Sequence, residues 1–351
     1  MEVSDQHTLM RPKLSIVMPV FNRPQELSVM VESIMANAFA DWELLAIDDG
    51  SDTEAVALLD DLSRRDSRIR MVRRDRTPKG AQTCRNMGLE LAKGEFVIFY
   101  DSDDFIPPYA LAARVEALDA RPDLDFMVFP SGTFSDEGFT SAPSRYSYGY
   151  RIYADDLSAF AARTLPFIVW NNVYRTSALR RCACLWDDHL LSLQDADFNM
   201  QCLLKGLKYD YAPTQPDYGY RVFQGTSVSG SLGRETHRKS HLYAIRKFYE
   251  AVQSKHGHRY DHSLYHGVLF IYNSVFSSGV DFSYAHQMKE IMQEYSRCWG
   301  RVFSLQLGLT NMLSHVLSPK RARQLPMALF LLWQTQNRRK RMRKMNALYV
   351  S

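Results

Sequence analysis

"LSIVMPVFNRPQELSVMVESIMANAFADWELLAIDDGS" (residues 14–51) holds two continuous apolar runs of strand length around one segment with helical spacing. LSIVMPV (14–20) and WELLAID (42–48) lack the alternation of a half-exposed strand, so both of their faces are expected to be covered. Between them PQELSVMVESIMAN (24–37) repeats apolar residues at helical intervals, behind a proline suited to a first turn. The alternation continues outward. TEAVALLDDLSRRD (53–66) is helical, RIRMVRR (68–74) a short strand, GAQTCRNMGLELAKG (80–94) a helix ending at Gly94, and EFVIFYD (95–101) a fourth strand. Such a pattern predicts an α/β fold with a mainly parallel sheet flanked by helices. In these sheets ligands bind outside the carboxyl ends of the strands. The polar signals collect there: Phe21-Asn22, Asp48-Asp49-Gly50-Ser51, and Asp101-Ser102-Asp103-Asp104.

The remaining chain reads differently. Residues 131–235 are rich in Tyr, Ser, Gly and Pro and show one clear helix, QDADFNMQCLLKG (194–206), closed by Gly206. From about 236 the pattern is mostly helical, so one unit over 1–235 and a helical region over 236–351 are expected. The 351 residues carry a net charge of +4, but Arg301–Ser351 contributes ten Lys or Arg and no Asp or Glu, which leaves residues 1–300 at −6. Cys84, Cys182, Cys184, Cys202 and Cys298 form no CxxC pair and no zinc spacing, which fits reduced thiols in a reducing compartment. The residues before Leu14 are polar, unlike a secretory signal, and no apolar run approaches the roughly 18 residues of a membrane span. A cytoplasmic protein is expected, possible attachment to the inner face of the membrane included.

In Asp101-Ser102-Asp103-Asp104, a strand period of two would put Asp101 and Asp103 on one side, as hard oxygen ligands for Mg²⁺ or Mn²⁺ beside a phosphate. The plainer role is a helix N-cap before Pro107, which accounts for Asp104 alone. Asp48-Asp49-Gly50 is either turn chemistry or a carboxylate pair reading a base or ribose. Lys79, Arg85 and Asn86 open the third helix as a solvated basic face or as nucleotide contacts. His258, His262 and His266 share a helical face without a carboxylate or Cys at ligand spacing, so partly exposed helix histidines are expected before a second metal site. The tail SPKRARQLPMALFLLWQTQNRRKRMRKMN (318–346) brackets an apolar run with basic clusters. Its charge alone would suit nucleic acid, but the Leu, Phe and Trp beside it suit an anionic membrane better, and a helix docked on the protein is the other reading.

SIVMPVFNRPQEL, LLAIDDGSDT, KGAQTCRNMGLELAKGEFVIFYDSDD and LQDADFNMQCLLKG, in this order and spacing, resemble the inverting family-2 glycosyltransferases with the GT-A fold over roughly residues 13–230. The resemblance implies a GT-A, Rossmann-like mixed sheet and transfer of a sugar from a nucleotide-diphosphate sugar, a UDP-sugar foremost, to a glycan or lipid-linked acceptor. It implies a metal at Asp103 shared with Asp101, and nucleotide contacts from Pro19, Phe21, Asn22, Asp48, Asp49, Arg85, Asp101 and Ser102. It makes Asp195 the base, with Asp197 as the rival. The family's preceding Glu is Gln194 here. Either carboxylate would also suit a helix's first turn, whose dipole is expected to keep Asp195 ionised. Trp170 and Asn171 of WNNVYR fall on acceptor or donor-sugar positions, although a core Trp has the same signature. Arg221 of YRVFQGTSVSGS falls on a diphosphate position, with Phe223-Gln224 where a His often stands. A sugar-phosphate nucleotidylyltransferase would need a Gly-rich loop after the first strand and a nicotinamide enzyme GxGxxG; VFNRP is neither. A non-catalytic nucleotide-sugar-binding protein of the same fold is the other reading, and donor hydrolysis separates it from an enzyme. No nucleic-acid partner is expected.

Overall fold

The computed structural model describes residues 11–222, 235–275 and 281–350. β1 (Leu14–Val20), α1 (Pro24–Met35), β2 (Trp42–Asp48), α2 (Thr53–Arg65), β3 (Ile69–Arg73), α3 (Ala81–Leu91) and β4 (Phe96–Phe99) follow in the order that the periodicity predicts. β1 pairs in parallel with β2 and β4, and β2 with β3. Covered faces explain the unbroken apolar runs. Leu14, Ile16 and Met18 pack with Leu27, Val31 and Leu59 on one side, while Val17 and Leu45 pack with Cys84 and Met87 on the other. α3 can lie this close to the sheet because residue 88 is glycine: a Cβ there would meet Val17 Cγ1 at 2.2 Å. Asp52 caps α2 by accepting the Ala55 N–H at 3.0 Å.

The chain between β4 and residue 222 holds far more structure than its sequence announces. It contains α4 (Ala110–Asp119), β5 (Phe126–Val128), β6 (Gly132–Ser135), β7 (Gly138–Thr140), α5 (Asp156–Ala161), β8 (Asn172–Arg175), α6 (Thr176–Arg181), α7 (Gln194–Leu204), β9 (Tyr209–Tyr211) and β10 (Gly219–Arg221). β8 runs antiparallel between β4 and β5, so the main sheet is mixed, in the order β3-β2-β1-β4-β8-β5-β9. β10, β6 and β7 form a second small sheet. Strands of three or four residues are too short to show a period, which is why the pattern left them out. Beneath this region Arg114, fully buried on α4, donates from Nε and Nη2 to Asp217 at 2.7 Å each and from Nη1 to the Trp170 carbonyl at 2.7 Å. A fork of this kind satisfies both buried charges.

The remainder is helical: α8 (Glu235–His256), α9 (Asp261–Val275), α10 (Phe282–Tyr295), α11 (Arg297–Ser314), α12 (Pro319–Gln324) and α13 (Ala328–Val350). These helices share a core with the sheet, since Val17, Phe99 and Phe198 belong to the same buried cluster as Phe248, Leu269 and Phe303. The change of pattern near 235 marks where α8 begins within that common core. No helix among the described residues is long and apolar enough to cross a membrane.

Candidate active site

The carboxyl ends of β1, β2 and β4 bring three loops together, tied to one another by side chains. Asn22, at φ +56°, donates its backbone N–H to Ser51 Oγ and accepts the Asp52 N–H on Oδ1, each at 2.9 Å. This fixes the β1–α1 turn against the β2–α2 turn. Asp48 is fully buried, and its Oδ1 accepts the Ser51 N–H at 2.9 Å. Its Oδ2 has no hydrogen-bond partner among the described residues, and the exposed Arg73 stands 3.6 Å away. A buried carboxylate oxygen without a donor has room for a ligand N–H or O–H. Asp49 is differently employed: its Oδ1 takes Arg74 Nε at 2.6 Å and the Gly80 N–H at 3.2 Å, holding the entry to α3. Phe21 is exposed, with the Lys79 ammonium 3.6 Å above its ring, and Pro19 sits opposite Ile47 near the end of β1.

β4 ends at Phe99, so the aspartate cluster occupies a turn and not the strand that the period of two assumed. There Asp101 accepts from Arg85 Nη2 at 2.6 Å and Asp103 from Arg23 Nη1 at 2.6 Å, with the half-buried Ser102 between them. Burial, and then the neighbouring Asp101 charge, push Asp103 above the usual carboxylate range. Asp104 is not the helix cap that its position suggested. It is buried, accepts from the Tyr218 hydroxyl at 2.6 Å and the Arg221 N–H at 2.7 Å, and rises well above its normal pKa through desolvation and its two acidic neighbours. It fastens the turn to β10, where Arg221 Nε also donates to the Asp103 carbonyl at 2.5 Å. Phe223 and Gln224 lie outside the described residues.

Arg85 joins this cluster to the start of α7. Besides Asp101, its guanidinium donates to Gln194 Oε1 at 3.3 Å and lies 4.4 Å over the Trp186 ring. The next residue, Asp195, feels both Arg85 and Asp101. Desolvation raises its pKa to about 6, against the pull of Arg85 and of the Val169 N–H. Its expected depression by the helix dipole is therefore reversed, because loss of water outweighs a dipole of ~0.5 charge. Asp197 turns away: it is buried, pairs with Lys247 of α8 at 2.7 Å, and accepts from Gln201 at 2.7 Å.

Three contacts expected of the site are instead internal. Trp170 is 2% exposed and stacks on Tyr218 at 4.4 Å, and Asn171 is fully buried, bonding the Phe129 carbonyl and the Ile168 N–H. Asn86 exchanges hydrogen bonds with the Trp186 backbone, both at 2.9 Å. Sequence spacing gave no sign of these burials, since an aromatic or amide serves a core as well as a ligand. Sequence reasoning also missed Arg23, Arg74 and Tyr218, which matter only through their partners, and it gave Gln194 no role beyond standing where the family's Glu does. His258 bonds Asp261 at 3.0 Å, a partner that ligand spacing did not suggest, while the tilted rings of His262 and His266 touch with centroids 4.3 Å apart. Asp187, Asp188 and His189 also converge at the surface, but Lys247 and the Tyr243 hydroxyl already hold Asp187.

Asp101 and Asp103 suit a divalent cation by the chemistry of their donors. Two acidic side chains crowd one turn at mutual electrostatic cost, and each has drawn an arginine.

Residues 15–183 match the family model described as glycosyl transferase family 2. The chain is 24% identical over 195 residues to the uncharacterized glycosyltransferase EpsJ of Bacillus subtilis, covering 54% of this chain and 56% of that protein. It is 34% identical over 105 residues to the GalNAc(5)-diNAcBac-PP-undecaprenol beta-1,3-glucosyltransferase of Campylobacter jejuni, covering 30% and 34%. The chain spans less than two thirds of the length of these curated relatives. Its fold is similar to that of S. aureus TarS 1-349 crystallised with UDP-GlcNAc, with a TM-score of 0.67 at 16% identity over 90% of this chain and 91% of that one. The mixed sheet, the aspartate turn at its carboxyl edge and the order of the motifs all accord with that match of residues 15–183 to glycosyl transferase family 2.

Proposed function

We propose that the protein transfers a glycosyl group, with inversion, from a nucleoside-diphosphate sugar to a hydroxyl of a glycan or lipid-linked acceptor in cell-surface glycan synthesis. A UDP-sugar is the first donor to test, given the ligand named for the structurally similar TarS. The observation that carries the reading is the sharing of Arg85. One guanidinium touches Asp101 from the β4 turn and Gln194 beside Asp195 on α7, so an anion-handling cluster and a separate carboxylate act at one place.

Asp48 would take a base or ribose donor on Oδ2, which no hydrogen bond occupies among the described residues, and the Asn22–Ser51 ties would hold that edge in shape. Asp101 and Asp103 would hold Mg²⁺ or Mn²⁺, which when bound supplies positive charge against the diphosphate. Asp195, ionised for the most part at pH 7, would accept the acceptor's hydroxyl proton. The freed oxygen forms its bond to the anomeric carbon as the bond from that carbon to the diphosphate oxygen breaks on the opposite side. The electron pair of the broken bond leaves with the nucleoside diphosphate. Attachment to the inner face of a membrane belongs to the same reading, because an undecaprenol-linked acceptor, named for one relative, is itself lipid-bound.

The test is a donor-binding and transfer assay on Asp195→Asn with a panel of nucleotide sugars. Retained donor binding with transfer reduced by at least about 10²-fold supports the role. Unchanged transfer removes it.

A further inference from the structure

The C-terminal helices present two faces of opposite character. On the inner side of α11, Phe303, Leu307 and Thr310 are buried. On its outer side Leu305 (76% exposed), Leu309, Met312 and Val316 (76%) lie in the open. At 100° per residue these four fall within about 60° of one another, a single apolar stripe facing water. α12 packs against α11, and the exposed Leu325 follows it. α13 begins with Leu329 (83%) and Leu332 (58%), and the same face continues through Arg339, Lys340 and Arg343, all exposed, at intervals of 10, 11 and 14 residues from Leu329. One helix face thus passes from leucine to arginine along its length.

This surface is not left open for want of a place to fold. The opposite side of α13 is docked: Met345 is fully buried with Tyr150 and Ile152, Lys344 donates to the Ile152 carbonyl at 2.6 Å, and the Arg341 guanidinium covers the Tyr148 ring at 4.5 Å. The tail is therefore docked along one side of α13, which leaves its other side for the membrane reading. Half of the exposed large apolar side chains among the described residues lie between Leu305 and Leu332. Clustering of that kind marks a binding surface.

We infer that the exposed stripe of α11 and the outer face of α13 form a docking surface for an anionic lipid bilayer, leucines entering the headgroup–acyl boundary and Arg339, Lys340 and Arg343 meeting lipid phosphates. Charge selects the occupant. From Arg297 onward the sequence has no Asp or Glu, so a second copy of this surface would oppose basic groups to basic groups. Nucleic acid would answer the arginines but leave the leucines in water. An anionic interface answers both. The inference extends the proposed membrane location by naming the surface, and it needs no glycosyl transfer to be tested.

The experiment is vesicle sedimentation of the full chain with phosphatidylcholine alone or mixed with anionic phosphatidylglycerol, at low and high salt. Binding only to the anionic vesicles is expected, weakened by salt. Arg339→Gln, Lys340→Gln and Arg343→Gln together should lower partitioning roughly 10²-fold. Leu305→Ser, Leu329→Ser and Leu332→Ser together should lower it at least about tenfold. Both variants should melt within a few degrees of wild type, as their side chains are exposed. Equal binding to both vesicle types, no binding, or indifference to either variant overturns the inference. So does a dimer in light scattering that the serine variant dissolves, which would assign the leucines to a second copy. Loss of donor binding with vesicle binding intact would count against the proposed function alone.

Discussion

Charge is handled in opposite ways at the carboxyl edge of the sheet and on the outer face of α11–α13. At and near the edge, acidic side chains draw arginines: Asp49 pairs with Arg74, Asp101 with Arg85 and Asp103 with Arg23, and beneath them Asp217 pairs with Arg114. On the helices, Arg339, Lys340 and Arg343 stand exposed with no acidic residue in the sequence around them. The cost of an unpartnered charge explains the difference. It is several kcal/mol in a desolvated site and nearly nothing in water. Buried charges therefore report how the fold is held and where chemistry is prepared, whereas exposed ones report what the surface meets.

The comparison is broken most directly at Arg114. Arg114→Ala leaves Asp217 buried and unpaired and should cost about 3–5 kcal/mol in urea unfolding. Arg114→Ala with Asp217→Ala should recover part of that loss, which a merely steric role for Arg114 would not allow.

The second test lies at the base. Asp195→Asn should lower kcat at least about 10²-fold, near 2.7 kcal/mol, with donor affinity kept. Asp197→Asn should be the milder change in kcat, because that carboxylate faces Lys247, and should show its cost in stability. In the wild type, kcat/KM should fall as pH drops through about 6, the value to which burial lifts Asp195, since the acidic form cannot accept a proton.

A buried histidine gives the third. His241 is 2% exposed, and desolvation with the nearby Arg163 and His237 lowers its pKa to about 4. A folded-state pKa below the unfolded value of ~6.5 means the unfolded chain binds more protons, so this stability is full above pH 6.5 and is lost as pH falls towards 4. At pH 5 the loss is about 2 kcal/mol, read as a urea midpoint that moves less with pH in His241→Leu than in the wild type.

The smallest effect is expected on the helices. Arg339→Ala should change stability by no more than about 0.5 kcal/mol, as exposed charges do. A larger loss would mean that the outer face of α13 is held to the protein after all.

The sequence by itself determined the first half of the sheet, and the reason is length with pattern. β1, β2, α1, α2 and α3 are long enough for their period to appear, and both faces of the strands are covered, so the apolar runs are unbroken. The aspartate turn, Asn22 and Asp48 could also be marked as candidates, because strand ends collect polar residues in an order that sequence preserves, whereas Arg85 and Asp195, on α3 and α7, were marked by the resemblance of their motifs. Only the tertiary structure decided the rest. β8 has four residues and enters the sheet between two distant strands, a pairing that no local period records. Trp170 and Asn171 looked like contacts and are core, while Asp104 looked like a cap and is an anchor for Tyr218 and Arg221. Asp195 and Asp197 differ by two positions in the same helix, yet one lies in the field of Arg85 and the other pairs with Lys247. Residue type fixes what a side chain is able to do. Which partner it meets, and how much water remains there, is settled only when segments far apart in the chain are packed together, and both pKa and role follow from those two conditions.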